Sequence, residues 1–73
     1  MSEQRKIINY TVACISEFAR RFDLNLSSAF EYLHKYKAID FIKENYDIEH
    51  TLSWEEAIQD MKSICANNGG YIS

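Results

Sequence analysis

The chain contains no proline and only two glycines, which are adjacent at Gly69 and Gly70. An all-β protein of this length needs turn residues roughly every ten positions, so their scarcity argues against a fold built from strands. No apolar run approaches the ~20 residues that a membrane span requires. The first residues, MSEQRKIINY, lack the apolar centre of a secretory signal peptide. We therefore expect a helical, cytoplasmic protein that does not enter a membrane.

Groupings of metal-binding and catalytic residues are also missing. The cysteines and histidines, at Cys14, His34, His50 and Cys65, all lie more than ten residues apart, whereas zinc ligands usually occur in close pairs. There is no HExxH motif, nucleophile elbow or phosphate-binding glycine loop. So short a chain also has little volume for a pocket of ~300 Å³. We therefore expect no metal, no cofactor and no enzymatic activity.

What the chain does contain is enough apolar material for one small folded domain. Of its 73 residues, 47% are hydrophobic and 14% are aromatic, which is too much for a disordered segment. Cys14 and Cys65 fall within apolar helical patterns, which predicts two buried thiols rather than a disulfide.

The charge is unevenly distributed along the chain, whose net charge is −3. Residues 1–37 carry six basic and four acidic side chains, a balance of +2, and residues 38–73 carry two basic and seven acidic side chains, a balance of −5. An overall attraction to nucleic acid is therefore not expected.

Apolar residues recurring at a helical period predict four helices, over residues 4–22, 26–36, 38–46 and 54–67. In the first helix, nine residues share an arc of about 160° when they are placed at ~100° per residue. They are Ile7, Ile8, Thr11, Val12, Cys14, Ile15, Phe18, Ala19 and Phe22. Tyr10 and Ala13 lie outside this apolar arc.

A break near Lys37 and Ala38 is predicted to separate the two short middle helices. Asn25 is a suitable N-cap for the second helix. If that helix continued to Tyr46, Lys37 would point into the core and the apolar residues after it would lie on the opposite face. A domain this small cannot bury both sides of one helix, so a short third helix is expected after the break.

The sequence SWEE predicts the start of the fourth helix as a capping box, in which Ser53 and Glu56 each bond the other's backbone N–H. Trp54 then leads an apolar arc, so its ring is expected in the core. The sequence ANNGG ends the helix with Gly69 in the left-handed conformation, and residues 68–73 form a tail. The predicted fold class is all-α, a compact single-domain bundle of four helices.

Four segments of the chain resemble a known family. The segments YTVACISEFARRF, AFEYLHKYKAIDFI, NYDIEHTLSWEEAI and NNGG are similar to the bacterial family called domain of unknown function 3791. The resemblance extends from about Ile7 to Gly70 and implies a small all-helical protein without an established activity. Because members lie beside genes with an ADP-ribosyltransferase-like domain, it also implies an antitoxin-like or accessory partner of such an effector.

Binding to another protein is the leading functional interpretation, because a small helical domain without a pocket usually acts through its surface. The acidic half could steer a basic partner, and a tyrosine off the core face is a common interface anchor. The candidate contact residues are Tyr10, Asp40, Glu44, Glu55 and Asp60. Two plainer interpretations stay open: a solvated acidic face, and a Tyr10 ring that closes the rim of the core.

The segment before the fourth helix contains a second candidate site, at His50, Ser53 and Trp54. In one interpretation, His50 is a ligand or a proton-transfer residue. In the other, its ring bonds a backbone group and fixes the connection. We favour the structural interpretation, because this segment has many backbone groups and no helix to satisfy them.

The alternative function is a DNA-binding transcriptional regulator. The sequence FARRFDLNLSSAFEYLHKYK has the outline of a helix-turn-helix, and its candidate nucleic-acid patch comprises Arg20, Arg21, His34, Lys35 and Lys37. However, Asp23 occupies the position where glycine is usual, and acidic Glu31 lies on the exposed face of the second helix. Nucleic acid is therefore not the expected partner, whereas assembly into a homo-oligomer stays open.

Overall fold

A computed structural model of the chain describes residues 2–70. The helices are α1 (Glu3–Arg21), α2 (Leu26–Lys35), α3 (Ala38–Glu44), α4 (Tyr46–Glu49) and α5 (Trp54–Asn67). The predicted all-α bundle of four main helices is confirmed. The predicted third helix, over 38–46, is too long. It ends at Glu44, because the Asn45 side chain donates a hydrogen bond back to the Phe41 carbonyl (3.0 Å) and α4 follows as a separate turn.

The core forms where α1 and α3 pack against each other and against α2 and α5. Its fully buried side chains come from all four of these helices, and the largest are Phe18, Leu33, Ile42, Met61, Cys14 and Cys65. Aromatic rings close the rim, where Phe18 contacts Phe22, just after α1, and Tyr32 on α2. Within residues 2–70, no helix combines the length and the apolar character needed to cross a membrane.

The buried face of α1 differs from the predicted arc. Ile8 and Val12 lie inside that arc, yet they are 57% and 56% exposed. Tyr10, predicted to lie outside it, packs against the core. The reason is geometric, because short partner helices cannot cover the whole width of a broad apolar arc. The uncovered side of α1 meets Leu26 and Phe30 of α2 in an apolar groove of about 310 Å³.

Three helices are followed, two residues after their last residue, by a residue with positive φ. These residues are Asp23 (φ 55°) after α1, Lys37 (φ 74°) after α2 and Gly69 (φ 92°) after α5. A left-handed residue at this position ends the helix and changes the direction of the chain. The predicted break at Lys37 and Ala38 is therefore confirmed, as is the left-handed conformation of Gly69.

Residues 68–70 are part of the packed structure and not a tail. The Gly70 N–H donates to the Cys65 carbonyl (2.7 Å) and the Gly69 N–H donates to the Ala66 carbonyl (3.1 Å), the two bonds of a Schellman motif. A Cβ atom at Gly70 would lie only 2.4 Å from the Tyr36 ring. Only glycine fits this close approach. The rest of the predicted tail, residues 71–73, lies outside the described residues.

Lys37 is the position in this fold where a glycine is expected to stabilise the protein. A side chain in the left-handed region costs about 1–2 kcal/mol, and the extra freedom of glycine in the unfolded chain offsets about 0.4–1 kcal/mol of that. We expect Lys37→Gly to raise the free energy of unfolding by roughly 0.5–1 kcal/mol, measured by urea denaturation.

Glu31, exposed in the middle of α2, provides the matched control. Glu31→Gly places glycine in a helix interior and should lower the free energy of unfolding by about 1 kcal/mol. A Lys37→Gly protein as unstable as Glu31→Gly would show that the chain does not need a left-handed residue at this break.

Candidate functional site

Tyr10 is the centre of an aromatic cluster that joins three helices. Its ring stacks on Trp54 of α5, with centroids 5.8 Å apart and planes within 9°. The edge of the cluster is formed by Tyr46, 5.6 Å away, and by His50, 6.5 Å away. The Tyr10 hydroxyl donates a 2.8 Å hydrogen bond to the backbone carbonyl of Glu49. Tyr10 therefore packs at the rim of the core.

Trp54 does not lie in the core, contrary to the prediction from its apolar arc. It is 38% exposed and covers the outer face of the Tyr10 ring. Its position as the first residue of α5 explains the difference, because the first turn of a helix lies at the edge of the bundle. The buried face of α5 begins one turn further on, with Ala57, Ile58 and Met61.

His50 and Ser53 bond groups of their own segment. The His50 Nδ1 lies 2.7 Å from the Tyr46 carbonyl, and since a carbonyl can only accept, Nδ1 carries the proton. Ser53 accepts a hydrogen bond from the Glu56 N–H (3.2 Å), as expected of an N-cap. The reciprocal half of the capping box differs, because the Glu56 carboxylate accepts from the Ser53 hydroxyl (3.1 Å).

Glu49 is the most unusual side chain in this region. It is only 3% exposed, and its Oε1 has no hydrogen-bond partner among residues 2–70. Burial, followed by hydrogen bonding and repulsion from the Asp60 carboxyl, raises the pKa of Glu49 to about 7. Desolvation disfavours the charged form and a neighbouring carboxylate adds to that effect. The protein therefore holds a proton on this acid at a pH where an exposed glutamate has lost it.

An open groove of about 580 Å³ lies beside this acid, between α4 and α5. We call it the α4–α5 groove, and it is lined by Ile48, Leu52, Glu55, Glu56, Gln59 and Asp60. The space is an open surface groove and not an enclosed pocket. Ile48 is 64% exposed, so apolar surface and carboxylates are available side by side.

The structure brings together only part of the candidate protein-contact set. Glu55 and Asp60 line the α4–α5 groove, and Tyr10 lies at the centre of the neighbouring aromatic cluster. Asp40 and Glu44 are exposed on α3 and do not line it. These two acids belong to a separate part of the acidic surface.

The sequence interpretation missed Ile48, Leu52 and Glu49. The first two are apolar residues four positions apart, a spacing that could have indicated a small apolar surface. Nothing local marks Glu49 as buried, because its burial depends on α1, from a distant part of the chain.

The five residues of the candidate nucleic-acid patch form two groups. Arg20 and Arg21 end α1 and both pair with Glu17, the Arg21 Nε at 3.3 Å from its carboxylate. His34, Lys35 and Lys37 lie at the far end of α2, whose ten residues span ~15 Å. His34 stacks on Phe30, with centroids 5.5 Å apart. The DNA-binding interpretation remains a prediction.

The two thiols are buried in the core and are not paired with each other. Burial raises the pKa of Cys14 to about 11 and also raises the pKa of Cys65. Both therefore stay protonated, and thiols in this form are poor nucleophiles and poor metal ligands. Across residues 2–70, no three side chains of histidine, cysteine, aspartate or glutamate are grouped so that they could hold a metal ion.

Comparison with known proteins identifies a family but no characterised relative. The family model described as "Protein of unknown function (DUF3791)" matches residues 9–68, which is most of the chain. No curated protein and no solved structure matches the chain.

Replacing Glu49 with glutamine keeps the side-chain shape and removes its ionisation. The pKa of Glu49 is raised from its ordinary value of 4.5 to about 7 on folding, so the folded parent loses stability as the pH rises between these values. At about 1.4 kcal/mol per pKa unit, the loss is on the order of 3 kcal/mol. We expect Glu49→Gln to lack this loss and to melt above the parent at about pH 8.

Thermal melts between about pH 5 and pH 8 measure the difference between the two proteins. Because the two proteins share every other ionisable group, the difference between their curves isolates the ionisation of Glu49. Glu44→Gln, at an exposed position on α3, should keep the pH dependence of the parent. Parallel curves for the parent and Glu49→Gln would mean that Glu49 is ionised throughout.

Proposed function

We propose that this chain, which belongs to the family described as "Protein of unknown function (DUF3791)", is a non-enzymatic protein-binding domain. The α4–α5 groove takes a basic, amphipathic segment of another protein. The observation that carries this proposal is the position of the exposed apolar side chain of Ile48 beside the carboxylates of Glu55 and Asp60.

The charge of this region indicates the sign of the partner. Residues 46–67 contain five acidic side chains and one basic side chain, and three of the acids line the groove. A surface of one sign speeds association with a partner of the opposite sign and rejects partners of like charge. Lysine and arginine are therefore favoured at the edge of the bound segment.

The apolar residues indicate the form of the partner. Ile48 and Leu52 lie in the groove alongside the carboxylates, so a bound segment needs apolar and basic side chains close together. An amphipathic helix presents both, with apolar anchors three or four residues apart. Burial of the apolar anchors supplies affinity, and the charges supply steering and register.

A narrower proposal follows from the family resemblance. The chain is an antitoxin-like or accessory partner of a neighbouring ADP-ribosyltransferase-like effector, and the basic segment belongs to that effector. Co-expression of the chain with the product of the adjacent gene, followed by size-exclusion chromatography, tests whether the two form a complex.

A defined peptide provides the direct test of the groove. We suggest an acetylated and amidated alanine-based helix with two leucines and two arginines, all on adjoining faces. Amide NMR shifts on titration are expected at Ile48, Leu52 and Gln59. Ile48→Ser should weaken binding about tenfold, since it removes roughly 1.4 kcal/mol or more of apolar contact. Because Ile48 is exposed, the thermal stability of the Ile48→Ser protein should stay close to that of the parent.

Charge variants test the electrostatic half of the proposal. Glu55→Lys should weaken binding several-fold at low salt and less at high salt, because salt screens exposed charges. Glu31→Lys makes the same charge change on α2 and serves as the matched control. Amide NMR shifts confined to Val12, Leu26 and Phe30 would instead place binding at the apolar groove between α1 and α2. Salt-dependent binding of a mixed-sequence duplex, with no binding of the peptide, would favour the DNA-binding alternative.

A further inference from the structure

The Glu49 carboxyl is buried, and the packing of residues 2–70 leaves one of its oxygens without a hydrogen bond. Its Oε1 accepts no hydrogen bond within that range, and an unsatisfied buried polar group is destabilising. Its carboxyl neighbour, Asp60, lines the α4–α5 groove. Only the Asp60 carboxyl therefore separates Glu49 from the proposed binding surface.

We propose that a guanidinium or ammonium group of the bound segment anchors on Asp60, and that its binding releases a proton from the Glu49–Asp60 pair. This inference rests on the proposed function, because it concerns the same groove. Binding is then coupled to pH, and the partner is held more tightly as the pH rises.

The groups that face Glu49 support this assignment. From α1, Tyr10 donates to the Glu49 backbone carbonyl, and the pKa values of Tyr10 and Cys14 are both raised, chiefly by burial. Both therefore stay neutral in this range of pH. His50, on the same turn as Glu49, bonds the Tyr46 carbonyl through its ring. Asp60 on α5 is left as the ionisable neighbour of Glu49.

The proton balance follows from the repulsion between two carboxylates. In the free protein, one proton keeps the pair at a single negative charge for part of the time near neutral pH. When the cation contacts Asp60, its positive charge stabilises a second negative charge on the pair. The proton leaves Glu49 for the buffer, and the pair, now carrying two negative charges, binds the cation. No other bond forms or breaks.

A cationic side chain fits this position better than a metal ion. The described residues group no three acidic, histidine or cysteine ligands, and a divalent ion needs more oxygen ligands than one carboxyl pair supplies. A guanidinium or ammonium group carries a single charge and several N–H donors. It also comes attached to a chain whose apolar residues can contact Ile48 and Leu52.

Calorimetry with the leucine–arginine peptide described above measures the released proton directly. Its blocked ends and its arginines do not titrate near pH 7, so any proton comes from the protein or the buffer. Titrations at about pH 7 in two buffers of different ionisation enthalpy should show release of about half a proton, since an acid with this pKa is half protonated there. Between about pH 6 and pH 8, affinity should rise about tenfold.

Three further titrations identify the source of the released proton. Glu49→Gln should bind the peptide with no proton release and little pH dependence, whereas Glu44→Gln should behave like the parent. A peptide with citrulline in place of arginine keeps the shape without the charge and should release no proton.

Each contrary result has a distinct meaning. Binding to the parent without proton release overturns the coupling and leaves the proposed function standing. Equal proton release by Glu49→Gln assigns the proton to another group and also overturns the coupling. If neither the parent nor Glu49→Gln binds the peptide, the proposed function and this inference both fail.

Discussion

The hydrogen bond from the Tyr10 hydroxyl to the Glu49 carbonyl holds the candidate site in place. It joins α1 to residues 39 positions later in the chain. The helix that it reaches, α4, has only four residues, and a single turn of this length does not persist alone in water. By fixing α4 against α1, Tyr10 also fixes where Ile48 and His50 lie and gives Trp54 a surface on which to stack.

This arrangement connects the stability of the fold to the chemistry of its surface. The turn that presents Ile48 to solvent is the same turn that carries Glu49 into the interior, because successive residues of a helix point in different directions. Burial of an acid is unfavourable, and it persists only where the surrounding contacts determine the geometry. The aromatic cluster supplies these contacts. The burial of Glu49 and the position of the α4–α5 groove therefore both depend on the packing around α4.

The main architecture could be predicted from the sequence because each long helix has its own apolar period and its own end signal. The break after α2 was predictable because Lys37 would otherwise face the core. The covered part of each apolar arc was not predictable. A helical wheel gives the direction of the apolar face, but the lengths and positions of the partner helices decide that Val12 is exposed and Tyr10 is packed. Likewise, no local pattern shows that Glu49 is buried or that Asp60 lies beside it.

The two cysteines lie on helices that pack together, and both side chains are fully inaccessible to solvent. With their pKa values raised, little thiolate exists even if reagent approaches. An alkylating or oxidising agent can therefore modify them only after α1 and α5 separate. Modification of either thiol therefore reports that the core of that molecule has opened. Oxidative damage to these residues therefore depends on the fraction of molecules whose core is open as well as on the amount of oxidant.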